Sequence, residues 1–384
     1  MPIYRIERSG LTVVFIGHEA CDPYIIHLLY AEYLNAERIG TVPVWSLNRV
    51  IRRWEKTADL IIFRHKKFLP GGALARRMLV MPYYVAQTVE LPPADADLRA
   101  VFRNSTTDGD LNRIRIAGFQ YEVTQDAAQL EFFYDQMYRP FILARHREAA
   151  SISPWPAFRR DYEKMELLLI RKAALPIAGT LNLQTGDCYT THVNGVLNAD
   201  KEMLRAGAVA AIYWFTIVEA HRRGCATVNW NCARPFLKDG VLAYKKKWGS
   251  RVVMDHRERE LWLLPCGNRA STHRFLEANP FICERDGQLV SLIFLGSHTV
   301  LNDKELAKYL KSCSFPGEHL STCIVFLNTE WAARAETIQT ILRELPQPSR
   351  ILDLSQVSLT ELPELILKWQ AERASHQACP RVTK

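Results

Sequence analysis

The chain has no apolar run approaching the ~18 residues that a membrane-crossing helix needs, so no membrane span is expected. It also lacks any CxxC pair. Nine cysteines are scattered from Cys21 to Cys379, and an odd, dispersed set argues against a disulfide framework and for a reducing, cytoplasmic setting. No His, Cys, Asp and Glu residues stand together at metal-ligand spacing. His221 and Cys225 are four apart at a predicted helix end, but no further ligands accompany them, so no metal is expected. A secretion signal is absent too. Leu11–Gly17 is apolar, but Glu19 and Asp22 follow it with no cleavage-like site, which reads as a strand.

What is present is a chain of 384 residues, 48% hydrophobic and 23% charged, which is ordinary for a globular protein with two or three domains. The formal net charge is +8. That suits an anionic partner, such as a phosphorylated cofactor, an acidic carrier protein or RNA, and equally a generally basic surface with no dedicated partner.

Residues 1–92 read as an α/β segment. Leu11–Gly17 and Asp59–Arg64 are strands. Asp22-Pro23 opens a helix running to about Leu34, Ser46–Glu55 is a second helix, and Met78–Val89 holds one or two further strands. Pro70-Gly71-Gly72 is a turn, and Leu91-Pro92-Pro93 breaks the pattern. Residues 98–265 have a different texture. Asp126–Arg147 is a long helix kinked by Pro140, and Leu167–Arg171, Leu175–Gln184 and Asp187–Leu197 are consecutive antiparallel strands. Lys201–Arg223 is a helix stopped by Gly224. Ala226–Trp230 is a strand, Lys238–Lys247 a helix and Arg251–Met254 a strand, with Glu260–Pro265 able to extend the sheet. Residues 285–372 give three strand–helix units and hence a small parallel sheet, and 373–384 is a loose tail. The fold class is α/β, with a mixed-sheet core and flanking α/β segments.

The residues able to carry chemistry concentrate in the core. His192 sits mid-strand. By strict alternation Thr190, His192 and Asn194 share one face, and that polar triplet makes His192 the leading general base. Tyr244 is a candidate general acid. Glu219, in the polar end of the long helix and expected to face solvent, is an alternative base, as is His146. Cys188 and Cys232 offer a covalent route, but nothing in the sequence lowers a thiol pKa there. Lys238, Lys245, Lys246 and Lys247 make the end of the core cationic, with Trp248 after them; this reads either as a phosphate or RNA contact or as a solvated helix face over a buried Trp.

Several segments together resemble the FemAB-like branch of the GNAT superfamily of N-acyltransferases, over about residues 100–255. Phe132–His146 is similar to that family's first substrate-side helix, with Tyr138, Arg145 and His146 as acceptor-side residues. Ala178-Gly179-Thr180 and Tyr189–Val193 resemble its central strands, and Tyr213–Arg223 its core helix. Asn229–Gly249 resembles its closing strand–turn–helix and is the most specific of these. The resemblance implies a GNAT-like mixed sheet with a splayed parallel strand pair, here about 187–197 and 226–231, holding an acyl carbonyl. It also implies Arg205, Gly207, Lys245 and Trp248 as donor-binding residues; Arg234, in the turn after the central strand, is a further donor-side candidate by its position, and Asn194, on the polar face of His192, a substrate contact. The family's phosphate motif at the core helix start is only partly matched by Arg205-Ala206-Gly207-Ala208. Acyl-CoA is therefore one donor among others, an acyl carrier protein and aminoacyl-tRNA being the rest.

The function expected is acyl transfer to a small-molecule or peptide amine. The alternatives are tRNA-dependent aminoacyl transfer by the same core, and a non-catalytic binding protein that keeps the fold.

Overall fold

The computed structural model describes residues 1–8, 10–17, 37–64, 72–147, 150, 152–255, 260–267, 269–285, 287–317 and 319–378. The helix expected from Asp22 and the turn at Pro70-Gly71 lie outside these. The chain forms two compact units. Unit 1 comprises residues 1–85, 234–242 and 252–384; unit 2 comprises 86–233 and 243–251.

The first part of unit 1 holds β1 (Pro2–Arg8), β2 (Leu11–Ile16), β3 (Glu37–Thr41), helix α1 (Leu47–Trp54), β4 (Leu60–Phe63), α2 (Gly72–Arg76) and β5 (Leu79–Pro82). The chain then runs through β6 (Val85–Glu90), α3 (Leu98–Phe102), α4 (Asp108–Ala117), β7 (Phe119–Thr124) and α5 (Ala127–Phe132). A π-helical turn (Phe133–Tyr138) leads directly into α6 (Arg139–His146), followed by α7 (Trp155–Tyr162). Next come β8 (Glu166–Lys172), β9 (Leu175–Thr185), β10 (Cys188–Val196), α8 (Lys201–Arg205), α9 (Ala208–Arg222), β11 (Thr227–Ala233), α10 (Gly240–Lys246) and β12 (Arg251–Met254). Unit 1 resumes with β13 (Glu260–Pro265), α11 (Ala270–Ala278), β14 (Phe281–Arg285), β15 (Gln288–Leu295), α12 (Asp303–Cys313), β16 (Leu320–Phe326), α13 (Thr329–Ala332), α14 (Ala335–Arg343), β17 (Ser349–Asp353) and α15 (Leu362–Ala378).

Unit 1 is built on a ten-stranded mixed sheet in the order β17-β16-β15-β14-β5-β13-β4-β2-β1-β3. β15, β16 and β17 are parallel, as three strand–helix units require. Glu260–Pro265 forms a strand, but it pairs with β4 and β5 in this sheet and does not extend the other.

Unit 2 is built on six strands in the order β6-β11-β10-β9-β8-β7. Its strands are apolar on both faces because both are covered. Along β8, Leu168 and Ile170 join one core with Ile114, Ala211 and Ile217 from α4 and α9. Leu167 and Leu169 join the other with Phe133, Met137 and Phe158 from the π-turn and α7.

Two helices depart from the sequence expectation. The helix over 126–147 is continuous past Pro140, and its distortion is the π-turn just upstream. Proline has no N–H and its ring crowds the carbonyl four residues back; a wider turn before it relieves that crowding. Lys201–Arg223 is two helices, divided at Gly207, whose φ of 98° is left-handed and suits glycine.

Candidate active site

The site begins with how β10 leaves β11. The two strands are parallel and paired only at Cys188–Thr227, Tyr189–Val228 and Thr190–Asn229. Beyond Thr190 they separate, while β10 stays paired with β9 up to Val196. The separation takes β10 backbone N–H groups out of the β10–β11 ladder, and an N–H can donate to a ligand carbonyl.

At this point β10 carries a bulge. Thr191 pairs with Asn182 and Val193 with Leu181, so His192 is the extra residue. The bulge reverses the alternation after it. Tyr189 and Val196 both join the core under α9, while Val193 packs against the π-turn core. Asn194 therefore shares the face of Val196, and the expected Thr190–His192–Asn194 face is divided.

His192 is half-buried, and its ring stands edge-on to Tyr162 at 6.2 Å between centroids. Tyr162 packs on Phe158 at 4.5 Å, and Phe158 on Tyr138 at 5.1 Å, so the π-turn and the bulge share one aromatic wall. Burial raises the pKa of the Tyr138 phenol to about 12, helped by Tyr162 and Tyr134, and burial, then Asp161, raises that of Tyr162. Both remain hydrogen-bond donors at neutral pH. Gly195 lets this wall approach. A Cβ there would lie 2.7 Å from the Met137 carbonyl carbon.

The separated end of β11 is held by side chains. Asn231 is left-handed at φ 59°, a conformation asparagine tolerates. Its N–H donates to Asn229 Oδ1 at 2.8 Å, and its own Oδ1 accepts from the Cys232 N–H at 2.8 Å. Lys245 reaches in from α10, only 4% exposed, and donates to the Cys232 carbonyl at 2.7 Å. Its ammonium faces β11 backbone from within the protein, which is not the position of a surface phosphate contact. Lys245→Met should cost about 1.5–3 kcal/mol, the range for a hydrogen bond to a charged group. It should also speed amide hydrogen exchange at Cys232; an unchanged urea midpoint would show that the clamp is dispensable.

Most of the other candidates lie elsewhere in unit 2. Trp248 is fully buried and stacked on Tyr213. Tyr244 meets Tyr213 edge-on at 5.2 Å, and the Lys247 ammonium lies 3.7 Å above its ring. Burial, then the nearby Asp110 carboxylate, raises its pKa, so it is a weak acid in the α4 core. Arg145 and His146 are exposed at the end of α6, and Arg145 lies over Phe141. Arg205 is exposed at the end of α8, and buried Gly207 starts α9 beside Arg113. Arg234 belongs to unit 1.

Glu219 corrects its sequence reading most sharply. It is 1% exposed and not solvent-facing. It accepts from Arg222 at 2.7 and 2.8 Å, from Arg223 at 2.6 Å and from the Tyr121 hydroxyl at 3.1 Å. Burial alone would raise its pKa, but the two guanidiniums prevail and hold it at about 2. So acidic a carboxylate does not take up a proton near neutral pH. Arg223 continues to Glu166 at 2.8 Å, and Glu166 accepts from Tyr189. This network ties α9 to β7, β8 and the paired end of β10.

Among the described residues, no cluster of His, Cys, Asp and Glu could hold a metal, and no helix is long and apolar enough to cross a membrane.

The bulged, separating parallel pair is the arrangement that the GNAT resemblance implies, here within a mixed α/β fold. No family profile matches the chain, and no curated protein matches it. Solved structures of similar fold include the C-terminal (DUF2156) domain of an Agrobacterium fabrum protein, at TM-score 0.36 and 14% identity, over 72% of this chain and 84% of that one. L-PGS from Bacillus licheniformis is similar at TM-score 0.34 and 12% identity, over 68% and 79% of the two chains. FemX also has TM-score 0.34 and 12% identity, over 68% and 83%. At TM-scores below 0.5 these likenesses carry no weight of their own; the chemistry of this site is set by the strand pair and its surroundings.

Asn229, Asn231, Tyr162 and Gly195 went unread in the sequence as site residues. The repeated Asn around Trp230 was the one available signal, because asparagine favours left-handed strand ends.

Proposed function

We propose that unit 2 is an N-acyltransferase that moves an acyl group from an activated donor to an amine. The observation that carries this is the separation of β10 from β11 beside a bulge at His192. The acyl carbonyl lies between the strands and accepts hydrogen bonds from β10 backbone N–H groups. The neutral amine attacks the carbonyl carbon, the C–N bond forms, and negative charge collects on the carbonyl oxygen. The C–S or C–O bond to the carrier then breaks, and the carrier leaves as thiol or alcohol, taking up one proton. His192 receives the proton that the amine loses. Positioning by the strands and the aromatic wall supplies most of the remaining rate.

Acyl-CoA, an acyl carrier protein and aminoacyl-tRNA are donors of the right chemistry. The +8 charge favours all three. The partly matched phosphate motif at Arg205–Ala208 favours the last two.

The test is binding of acetyl-CoA, long-chain acyl-CoA and aminoacyl-tRNA by calorimetry, followed by turnover of the donor that binds. His192→Gln should lower turnover by about 10²–10⁴-fold with donor affinity unchanged. Full activity in that variant would remove His192 from the chemistry. Binding of no donor would favour a non-catalytic role.

A further inference from the structure

The face of the unit 2 sheet under α9 carries, besides the charged network around Glu219, a group of neutral polar residues. Thr180 and Asn182 on β9, Thr191 on β10 and Thr216 on α9 are each no more than 5% exposed. Asn194 on β10 and Trp230 on β11 complete the group. Thr180 is the cross-strand neighbour of Asn194, and Asn182 of Thr191. Alternation puts Thr180 and Asn182 on the face of Ala178, and Asn194 on the face of Val196; both reference residues belong to the core under α9. The Thr180, Thr191 and Thr216 hydroxyls, both polar atoms of the Asn182 amide, Asn194 Oδ1 and Trp230 Nε1 are buried and meet no protein partner among the described residues.

Seven such atoms, on three neighbouring strands and the helix over them, are not an ordinary core. Buried polar groups in folded proteins are nearly always hydrogen-bonded, and each unmet one is costly. The patch also has a fixed position. Thr191 and Asn194 flank the bulge on the part of β10 that has left β11, and Trp230 is one residue beyond the last paired residue of β11. A group whose carbonyl lies between the strands has its chain beside these side chains.

We propose that this patch is the acyl subsite and that it selects a neutral, hydrogen-bonding acyl chain, one bearing hydroxyl or amide groups. The inference rests on the acyl-transfer reading. Threonine, asparagine and tryptophan supply both donors and acceptors, so a hydroxyl or amide is matched. None of the six ionises, so a charged chain, an aminoacyl group with its α-ammonium included, is left without a counter-ion, and of the donors named above acyl-CoA and an acyl carrier protein remain. A purely apolar chain leaves the patch unmet, as when a site built for a hydroxyl receives its deoxy analogue.

The experiment compares the butanoyl, 3-hydroxybutanoyl and 3-aminobutanoyl thioesters of N-acetylcysteamine, which share one minimal carrier, by saturation-transfer NMR on the full chain. The 3-hydroxybutanoyl thioester should bind about tenfold or more tighter than the butanoyl one, as one well-made hydrogen bond gives, and the cationic 3-aminobutanoyl one weakest. Asn182→Leu and Thr191→Val should each erase most of that preference, while Thr191→Ser, which keeps the hydroxyl, should retain it. Thr191→Val is nearly isosteric and keeps the test open if Asn182→Leu fails to fold. Equal or tighter binding of the butanoyl thioester, or a preference surviving both substitutions, overturns the inference and leaves acyl transfer standing. Binding of none of the three overturns this inference, and the acyl-transfer reading is then decided by the donor-binding test above.

Discussion

Glu219→Ala is expected to destabilise unit 2 by roughly 3–5 kcal/mol, the usual effect of removing one partner from a buried ion pair. Total stabilities are about 5–15 kcal/mol, so the loss is large. Glu219 is the common acceptor for Arg222, Arg223 and Tyr121. Without it Tyr121 loses its partner, and Arg223, 21% exposed, keeps only part of its set. Urea unfolding measures the loss. The pH dependence supplies a second check. A carboxylate with its folded pKa lowered to about 2, against an ordinary 4.5, stabilises the fold fully above pH 4.5. That stabilisation fades as pH falls towards 2. The difference between wild type and variant should therefore shrink across that window. A difference constant with pH would mean that the network does not depend on the ionised carboxylate.

The second large effect is expected at Gly195. An added Cβ would lie 2.7 Å from the Met137 carbonyl carbon and 2.8 Å from the Tyr138 nitrogen, both backbone atoms that cannot rotate away. Gly195→Ala should cost about 1–3 kcal/mol and Gly195→Val more, as overpacking does. Because the displaced element carries the aromatic wall beside His192, near-ultraviolet circular dichroism should change as well as the melting temperature. Gly109→Ala is the control. It lies in α4 with nothing within 4 Å of a new Cβ, and should be neutral or slightly stabilising. Equal melting temperatures for all three variants would show that β10 and the π-turn can separate at no cost.

Much of this architecture was legible in the sequence, because it is local. The hairpin run β8–β10 follows from apolar segments divided by Ala173–Pro176 and Thr185-Gly186-Asp187. The C-terminal units follow from three repeats of strand and helix. What escaped depends on distant partners. The bulge at His192 is a register shift against β9, and strict alternation carries no sign of it. Glu219 and Lys245 look like surface charges, since long charged side chains are seldom buried. Their burial depends on Tyr121 and on the β11 carbonyls, 98 and 13 residues away in the chain. The π-turn was half-read, since Pro140 announced a distortion but not its form.

The strand order of unit 1 bears on how the protein is made. β4 and β5 are neighbours of β13, which lies between them, yet about 180 residues separate β5 from β13 along the chain. At ordinary translation rates of about 5–20 residues per second, both strands wait roughly 10–35 s for the segment that joins them. During that interval their apolar edges are open to other chains. The emerging protein should therefore be more prone to aggregate, and more dependent on chaperones at the ribosome, than its finished form suggests.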